Sequence, residues 1–211
     1  GVFTTYNGAT ANKVAKINAD GTLDTSFAPA IFKYLGGSSA YVSAVVPLNA
    51  TTPAYLGKVL VFGLFDEIGS VATPTGVALL DSTGALDTVN FNPGAGGFID
   101  SSGTGLAFSE AKQWTDGTIY VAGRFTDFNG VASKSIVNFD VTNNGNVPLA
   151  WTGFYSGFDN LQGVPPIIYD FDISSGGIIY VSGNMTDYNS VAIGRVAALN
   201  MNGSPEPVFM A

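Results

Sequence analysis

The feature that most constrains the fold is a repeat of about 60 residues along the whole sequence. Gly63, Gly123 and Gly183 are 60 residues apart, and each ends an apolar run: VLVFG, TIYVAG or IIYVSG. They open the similar stretches GLFDEIGSVATP, GRFTDFNGVASK and GNMTDYNSVAIG, and a fourth copy, GVFTTYNGATAN, opens at Gly1. Repeats of this length indicate one small structural element that stacks on copies of itself, because a single unit cannot bury its own apolar face.

Each unit is predicted to contain four short β-strands. β-Branched and aromatic residues alternate with small ones, which is typical of half-buried strands, and Gly, Asn and Asp mark the turns. In the third unit the strands are predicted at 104–112, 118–125, 135–141 and 146–154. A helix of about two turns is conceivable at 106–114, but the equivalent segments 40–48 and 166–174 are rich in β-formers, so we favour a strand there.

Four antiparallel strands per unit predict an all-β fold of β-propeller blades, with a β-solenoid as the alternative architecture. We expect a single repeat domain over 1–211, with units at approximately 1–30, 31–95, 96–154 and 155–211. The first unit supplies only the last two strands of a blade, which gives about 3.5 repeats. Since closed propellers have about 4–8 blades, we expect the chain to be part of a larger propeller or assembly, with Gly1 either a processed terminus or the start of an excerpt.

Composition narrows the classes of function. The net charge is −8, so the basic surface that nucleic acids require is not expected, and no apolar run reaches the length that spans a bilayer. The chain has no Cys and no His, which excludes disulfides, thiol nucleophiles and Ser-His-Asp triads. Charged residues make up 11%, against a usual figure of about 25%. Gly, Ser, Thr and Asn therefore form most of the polar surface.

Two repeated positions are predicted to be structural. Phe3, Phe65, Phe125 and Met185 lie two residues after the repeated glycines and are expected to pack between neighbouring units, with a ring of ligand-stacking aromatics as the alternative. The repeated glycines end strands, where a bulge or a crowded backbone favours Gly. They belong to no phosphate-binding pattern.

Carboxylates on the first strands are the candidate catalytic residues. Asp170 and Asp172 are two residues apart on a predicted strand, so they face the same side. Their Cα separation of about 6.5–7 Å is close to the carboxylate spacing of inverting glycosidases. Glu110 holds the place of Asp170 in the third unit. A solvated strand face facing a central channel explains the same residues, and so does binding of a cation or a sugar.

Two further sets of residues are candidate ligand contacts. Asn18, Asp20 and Asp24 in NADGTLD resemble a calcium loop, although a hairpin turn explains them equally and the series of an EF-hand is absent. Calcium is therefore the one candidate cofactor. Trp114 precedes a Thr-Asp-Gly turn and is predicted to be an exposed ligand contact, whereas Trp151 holds a repeat position otherwise filled by Phe and is predicted to be core.

The pattern GKxLVxGxFxxxNG, followed by VAxxNxDGxLDxxF, resembles the delta-sixty repeat family. The matching segments are GKVLVFGLF at 57–65, GVFTTYNG at 1–8 and VAKINADGTLDTSF at 14–27. The resemblance extends over essentially the whole chain, although the second half of the motif is blurred in the third and fourth units. It implies a propeller-type repeat of the kind found in bacterial surface proteins and phage particle proteins.

Three functions are consistent with the sequence. We expect a non-enzymatic structural or interaction module of an extracellular, cell-surface or virion protein, such as an adhesion scaffold, with other protein chains or a surface glycan as partners. The first alternative is a carbohydrate-active propeller enzyme that uses paired carboxylates. The second is a lectin-like or calcium-binding module. A shared scaffold does not distinguish between them.

Overall fold

The computed structural model describes residues 1–37, 39–49, 53–93, 96–103, 105–145, 157–161, 164–207 and 209. The strands are, in chain order, β1 (Thr5–Tyr6), β2 (Ala9–Thr10), β3 (Phe32–Lys33), β4 (Tyr41–Pro47), β5 (Val59–Leu64), β6 (Glu67–Ile68), β7 (Val71–Ala72), β8 (Val77–Leu80), β9 (Phe98–Ile99), β10 (Ala107–Gln113), β11 (Ile119–Arg124), β12 (Asp127–Phe128), β13 (Val131–Ala132), β14 (Ile136–Phe139), β15 (Phe158–Asp159), β16 (Ile168–Ile173), β17 (Ile178–Gly183), β18 (Asp187–Tyr188), β19 (Val191–Ala192) and β20 (Val196–Asn200).

These strands confirm the prediction of an all-β fold. The helical segments in the described ranges are two 3₁₀ turns, Pro53–Tyr55 and Val141–Asn143. The segment 106–114, for which a short helix was considered, contains the strand β10, in agreement with the preference for a strand there. None of the helices in the described ranges has the length and apolar character needed to cross a bilayer.

Three antiparallel sheets with the same strand order form the repeated blades. They are β4-β5-β8, β10-β11-β14 and β16-β17-β20, each with its second strand in the centre. The predicted fourth strand is represented by one antiparallel bridge per unit, at Ile17↔Leu23, Leu80↔Leu86 and Leu199↔Pro205. The corresponding segment of the third unit, 146–154, lies outside the described residues.

Each complete unit also carries a small three-stranded sheet, which the sequence did not predict. The hairpin between the second and third strands of a blade pairs with a short strand that precedes the first, giving β3-β6-β7, β9-β12-β13 and β15-β18-β19. In the first unit, the equivalent sheet in the described residues contains β1 and β2 alone.

The repeated glycines lie where two backbones cross closely. Gly63, Gly123 and Gly183 each pair with the first strand of their blade at a β-bulge, as predicted. A Cβ added there would lie 2.0 Å from the carbonyl oxygen of Tyr41, 2.1 Å from that of Ala107 and 2.6 Å from that of Ile167. Only Gly fits at these positions without moving the partner strand.

The core includes contacts between neighbouring blades, such as that of Phe62 with Phe139, whose ring centroids are 6.3 Å apart. Phe65, Phe125 and Met185 are fully buried, which confirms that this repeated position belongs to the core. The ring of Phe98 packs against those of Phe108 and Phe125, with centroids 4.7 Å and 4.8 Å away. The first copy of the repeated position differs, because Phe3 keeps 39% of its surface exposed.

Candidate functional site

The first strands of the third and fourth units bring the candidate carboxylates together. β10 lies beside β16. Glu110 follows the bulge of β10 and Asp170 follows the bulge of β16, so they occupy the same register in successive units. Asp170 and Asp172 are both exposed while Phe171 between them is buried, as expected for alternate residues on one strand.

Lys112 occupies the centre of this group of side chains. Its Nζ is 3.2 Å from Oε1 of Glu110 and 2.9 Å from Oδ1 of Asp172. The same ammonium donates a hydrogen bond of 2.8 Å to the carbonyl oxygen of Phe171 and lies 5.3 Å from the centroid of the Phe171 ring. Lys112 therefore joins two neighbouring blades through charge, hydrogen bonding and a cation–π contact. We refer to Glu110, Lys112, Asp170 and Asp172 as the inter-blade cluster.

The pKa values of the two carboxyl groups that pair with Lys112 are shifted in opposite directions. Partial burial raises the pKa of Glu110, the neighbouring Asp170 carboxyl raises it further, and Lys112 opposes the change. Hydrogen bonding to Lys112 lowers the pKa of Asp172. Partial burial alone would lower the pKa of Lys112, but hydrogen bonds and charge attraction to Asp172 and Glu110 raise it. Glu110 therefore keeps its proton to a higher pH than a free carboxyl, while Asp172 remains an ionised partner of Lys112.

The predicted calcium loop is a hydrogen-bonded turn. Oδ1 of Asp20 accepts hydrogen bonds from the Thr22 backbone at 2.9 Å and the Thr22 hydroxyl at 2.6 Å. Asn18 donates to the same hydroxyl, and Asp24 forms an ion pair of 2.8 Å with Lys16. Among the described residues, no group of three or more Asp or Glu side chains is arranged to hold a metal ion.

The prediction that Trp114 is exposed is wrong. Its indole is half-buried and packs against the main core, while its backbone closes the turn through a 3.0 Å hydrogen bond from the Gly117 amide. A large aromatic beside a tight turn gains more by covering the core than by facing water. Trp151 lies outside the described residues.

An apolar cavity of about 380 Å³ lies between the first unit and the first complete blade. It is lined mainly by Val14, Ala15, Phe27, Val45, Pro47 and Val59. Sequence reasoning missed both this cavity and Lys112. Lys112 could have been found from the sequence, because it follows Glu110 by two residues and therefore lies on the same face of the strand.

Comparison with known proteins supports the interpretation of the repeat as a β-propeller blade. No curated protein matches the chain. Residues 1–27 and 115–140 match the family model described as Domain of unknown function (DUF5122) beta-propeller. The first segment contains β1, β2 and the bridge between Ile17 and Leu23, and the second contains β11 to β14. The chain is thus an all-β protein built of propeller-type blades and similar, in these two segments, to that β-propeller family.

Proposed function

We propose that the chain is a non-enzymatic structural or interaction module of a delta-sixty-type repeat protein, on the outside of a bacterial cell or phage particle. Other protein chains are its proposed partners, with a surface glycan as a further candidate. The observation that carries the proposal is the inter-blade cluster. Lys112 on β10 pairs with Asp172 on β16, and Glu110 on β10 accepts a 3.4 Å hydrogen bond from the Phe171 amide on β16, so two of the three carboxylates suited to catalysis serve to join neighbouring blades.

The surface supports the same proposal. Its polar character comes largely from Gly, Ser, Thr and Asn, and the net charge of −8 opposes binding to nucleic acid or to an anionic membrane. Low charge density and short hairpins suit a scaffold that presents loops to a partner. The similarity of residues 1–27 and 115–140 to a β-propeller family supports the propeller scaffold itself.

A polysaccharide panel tests the proposal against the carbohydrate-active alternative. We expect no release of reducing ends above a buffer control over pH 4–8. The matched control is the double variant Glu110→Gln, Asp170→Asn, which removes the two carboxylates that hold the same register in successive units. Hydrolysis by the native chain that disappears in this variant would contradict the proposal.

Two companion measurements test the structural role and the calcium alternative. Lys112→Met should lower the melting temperature more than Lys16→Met, since Lys112 joins two blades and Lys16 pairs with Asp24 within one unit. Equal effects would contradict the inter-blade role. A melting temperature that drops in chelator and recovers with calcium would instead support a calcium-binding module.

A further inference from the structure

A second cavity, of about 310 Å³, lies between the second and third units, both of which have complete blades. This volume is within the range of small-molecule sites, about 300–1,000 Å³. The second unit contributes two of the lining side chains, and the third contributes the end of β9 and the loop that leads to β10. We call this cavity the Tyr34 pocket, and its lining includes Tyr34, Thr75, Phe98, Ile99, Asp100 and Leu106.

The next pair of units shows why a cavity forms at this place. Thr75 and Lys134 are equivalent, since each carbonyl oxygen accepts a hydrogen bond from the first residue of the next short strand, β9 or β15, at 2.8 Å and 3.2 Å. The second residues of those strands are Ile99 and Asp159. Lys134 and Asp159 form an ion pair of 2.7 Å that joins the third and fourth units. Thr75 is shorter than lysine and has no charged partner in Ile99, so the corresponding space between the second and third units stays open.

The polar side chains of the pocket suit a ligand that carries hydroxyl groups. Among the described residues, the hydroxyls of Tyr34 and Thr75 have no hydrogen-bond partner. The Asp100 carboxylate accepts hydrogen bonds from the backbone amides of Ser102 at 3.0 Å and Gly105 at 2.5 Å, which fix its orientation. A fixed carboxylate beside two hydroxyls can exchange hydrogen bonds with several ligand hydroxyls. Its negative charge disfavours an anionic ligand.

The apolar part of the pocket suits a ligand with a hydrocarbon face. Phe98 is 1% exposed and Ile99 is 46% exposed, so a buried ring and an accessible aliphatic side chain lie beside Tyr34. Gly36 holds the Tyr34 ring from one side, since a Cβ added to Gly36 would lie 2.5 Å from Cε1 of that ring. An aromatic ring held in place gives contact area at a small cost in side-chain entropy.

We propose that the Tyr34 pocket binds a neutral sugar residue of a glycan. This inference rests on the proposed function as an interaction module and gives its candidate glycan partner a site. The C–H face of the sugar packs against the Tyr34 ring, while sugar hydroxyls exchange hydrogen bonds with Thr75 and Asp100. A purely apolar ligand would bury the two free hydroxyls without partners. A phosphorylated or acidic ligand would lack a cation, because none of the described lining residues is Lys or Arg.

The pocket is suited to binding rather than to cleavage. Asp100 is the one acid among the described lining residues, whereas hydrolysis of a glycosidic bond normally uses two carboxyl groups. The inter-blade cluster lies elsewhere, on β10 and β16 between the third and fourth units. The two sites can therefore be tested separately.

Saturation-transfer NMR with the full chain measures binding of defined saccharides. The probes are the methyl glycosides of glucose, galactose and mannose, and the disaccharides maltose, cellobiose and lactose. A site that contacts one or two sugar residues gives a dissociation constant of about 1 mM. We expect at least one probe to bind when the panel is tested at about 10 mM, a concentration well above that constant.

Three variants assign the binding to the pocket. Tyr34→Ala should weaken binding at least about tenfold, because it removes both the ring and its hydroxyl. The double variant Thr75→Lys, Ile99→Asp copies the ion pair that joins the next two units, and it should abolish binding by closing the pocket. Tyr169→Ala is the matched control, since this tyrosine is 62% exposed on β16 and lies outside the pocket, so binding should be unchanged.

Three outcomes would overturn the proposal. They are no binding of any probe to the folded native chain, binding that persists in the double variant, and equal weakening by Tyr34→Ala and Tyr169→Ala. Circular dichroism checks that each variant folds, and the double variant decides if Tyr34→Ala does not fold. A pocket without saccharide binding would leave the non-enzymatic proposal standing, whereas only hydrolysis that depends on Glu110 and Asp170 contradicts it, so the two failures remain distinguishable.

Discussion

Truncating Phe125 to Ala tests how much the repeated aromatic position contributes to the stability of the core. The side chain is fully buried, and its ring lies 4.8 Å from Phe98 in an edge-on contact and 6.2 Å from Phe108 in a stacked one. Removing a buried aromatic side chain costs about 3–5 kcal/mol, because the core keeps most of the cavity that it leaves. We expect Phe125→Ala to lower the free energy of unfolding by that amount.

Urea denaturation followed by circular dichroism measures this loss at 25 °C. For a chain of this size, each kcal/mol lowers the melting temperature by about 2–4 °C, so a drop of roughly 6–20 °C should accompany it. Phe3→Ala is the matched control, since Phe3 holds the same repeat position with 39% of its surface exposed. It should cost less than about 1 kcal/mol.

The comparison between the two variants is decisive. A loss below about 1 kcal/mol for Phe125→Ala would show that its ring contributes little to packing. The ligand-stacking interpretation of the repeated aromatics would then have to be reconsidered. Equal losses for Phe125→Ala and Phe3→Ala would contradict the difference in burial between the first unit and the complete ones.

Two further predictions concern the backbone crossing and the inter-blade cluster. Gly123→Ala should cost about 3 kcal/mol or more, because its Cβ would meet the Ala107 carbonyl oxygen at 2.1 Å, whereas Gly194→Ala, with open space around it, should be tolerated. Similar unfolding curves for the two variants would contradict the close approach. The pKa of Glu110 is raised above its ordinary value of 4.5 in the folded chain, which therefore holds this proton more tightly than the unfolded chain. Glu110 should thus reduce stability as pH rises through and above 4.5, and Glu110→Gln should remove that contribution. Melting temperatures of both proteins from pH 4 to 7 check this, and parallel pH profiles would refute it.

The blades were predictable because their signals are local and repeated. The spacing of Gly63, Gly123 and Gly183 predicted equivalent strand ends, and the bulges lie there. The small sheets were not predictable in the same way. Their strands are two residues long, too short for any periodicity, and strands such as β3 and β9 come from segments that precede the blade they join.

The inter-blade cluster was only partly predictable. Asp170 and Asp172 were found from their spacing on one strand, and Glu110 from its matching place in the third unit. Their meeting across units follows from the shared register. Lys112 was missed because the equivalent positions of the other two complete units hold Val46 and Asp172. A comparison of the units therefore does not indicate that a lysine at this position pairs with carboxylates. The cavity between the first unit and the first complete blade could not be predicted, since it depends on the exposure of Val45, whose equivalents Ala111 and Phe171 are buried.

Residue-specific amide hydrogen exchange, measured by NMR, most directly tests the central claim that the chain repeats one blade and that, within the described residues, Ala15 and Ile17 do not have the strand partner of their counterparts Ala78 and Leu80. The amides of Ala78 and Leu80, and of their counterparts Val137, Phe139, Ala197 and Leu199, should exchange slowly, because each pairs with a central strand. Those of Ala15 and Ile17 should exchange rapidly. Equal protection of Ala15, Ile17 and their counterparts would contradict the account, because the edge of the first unit would then already be paired.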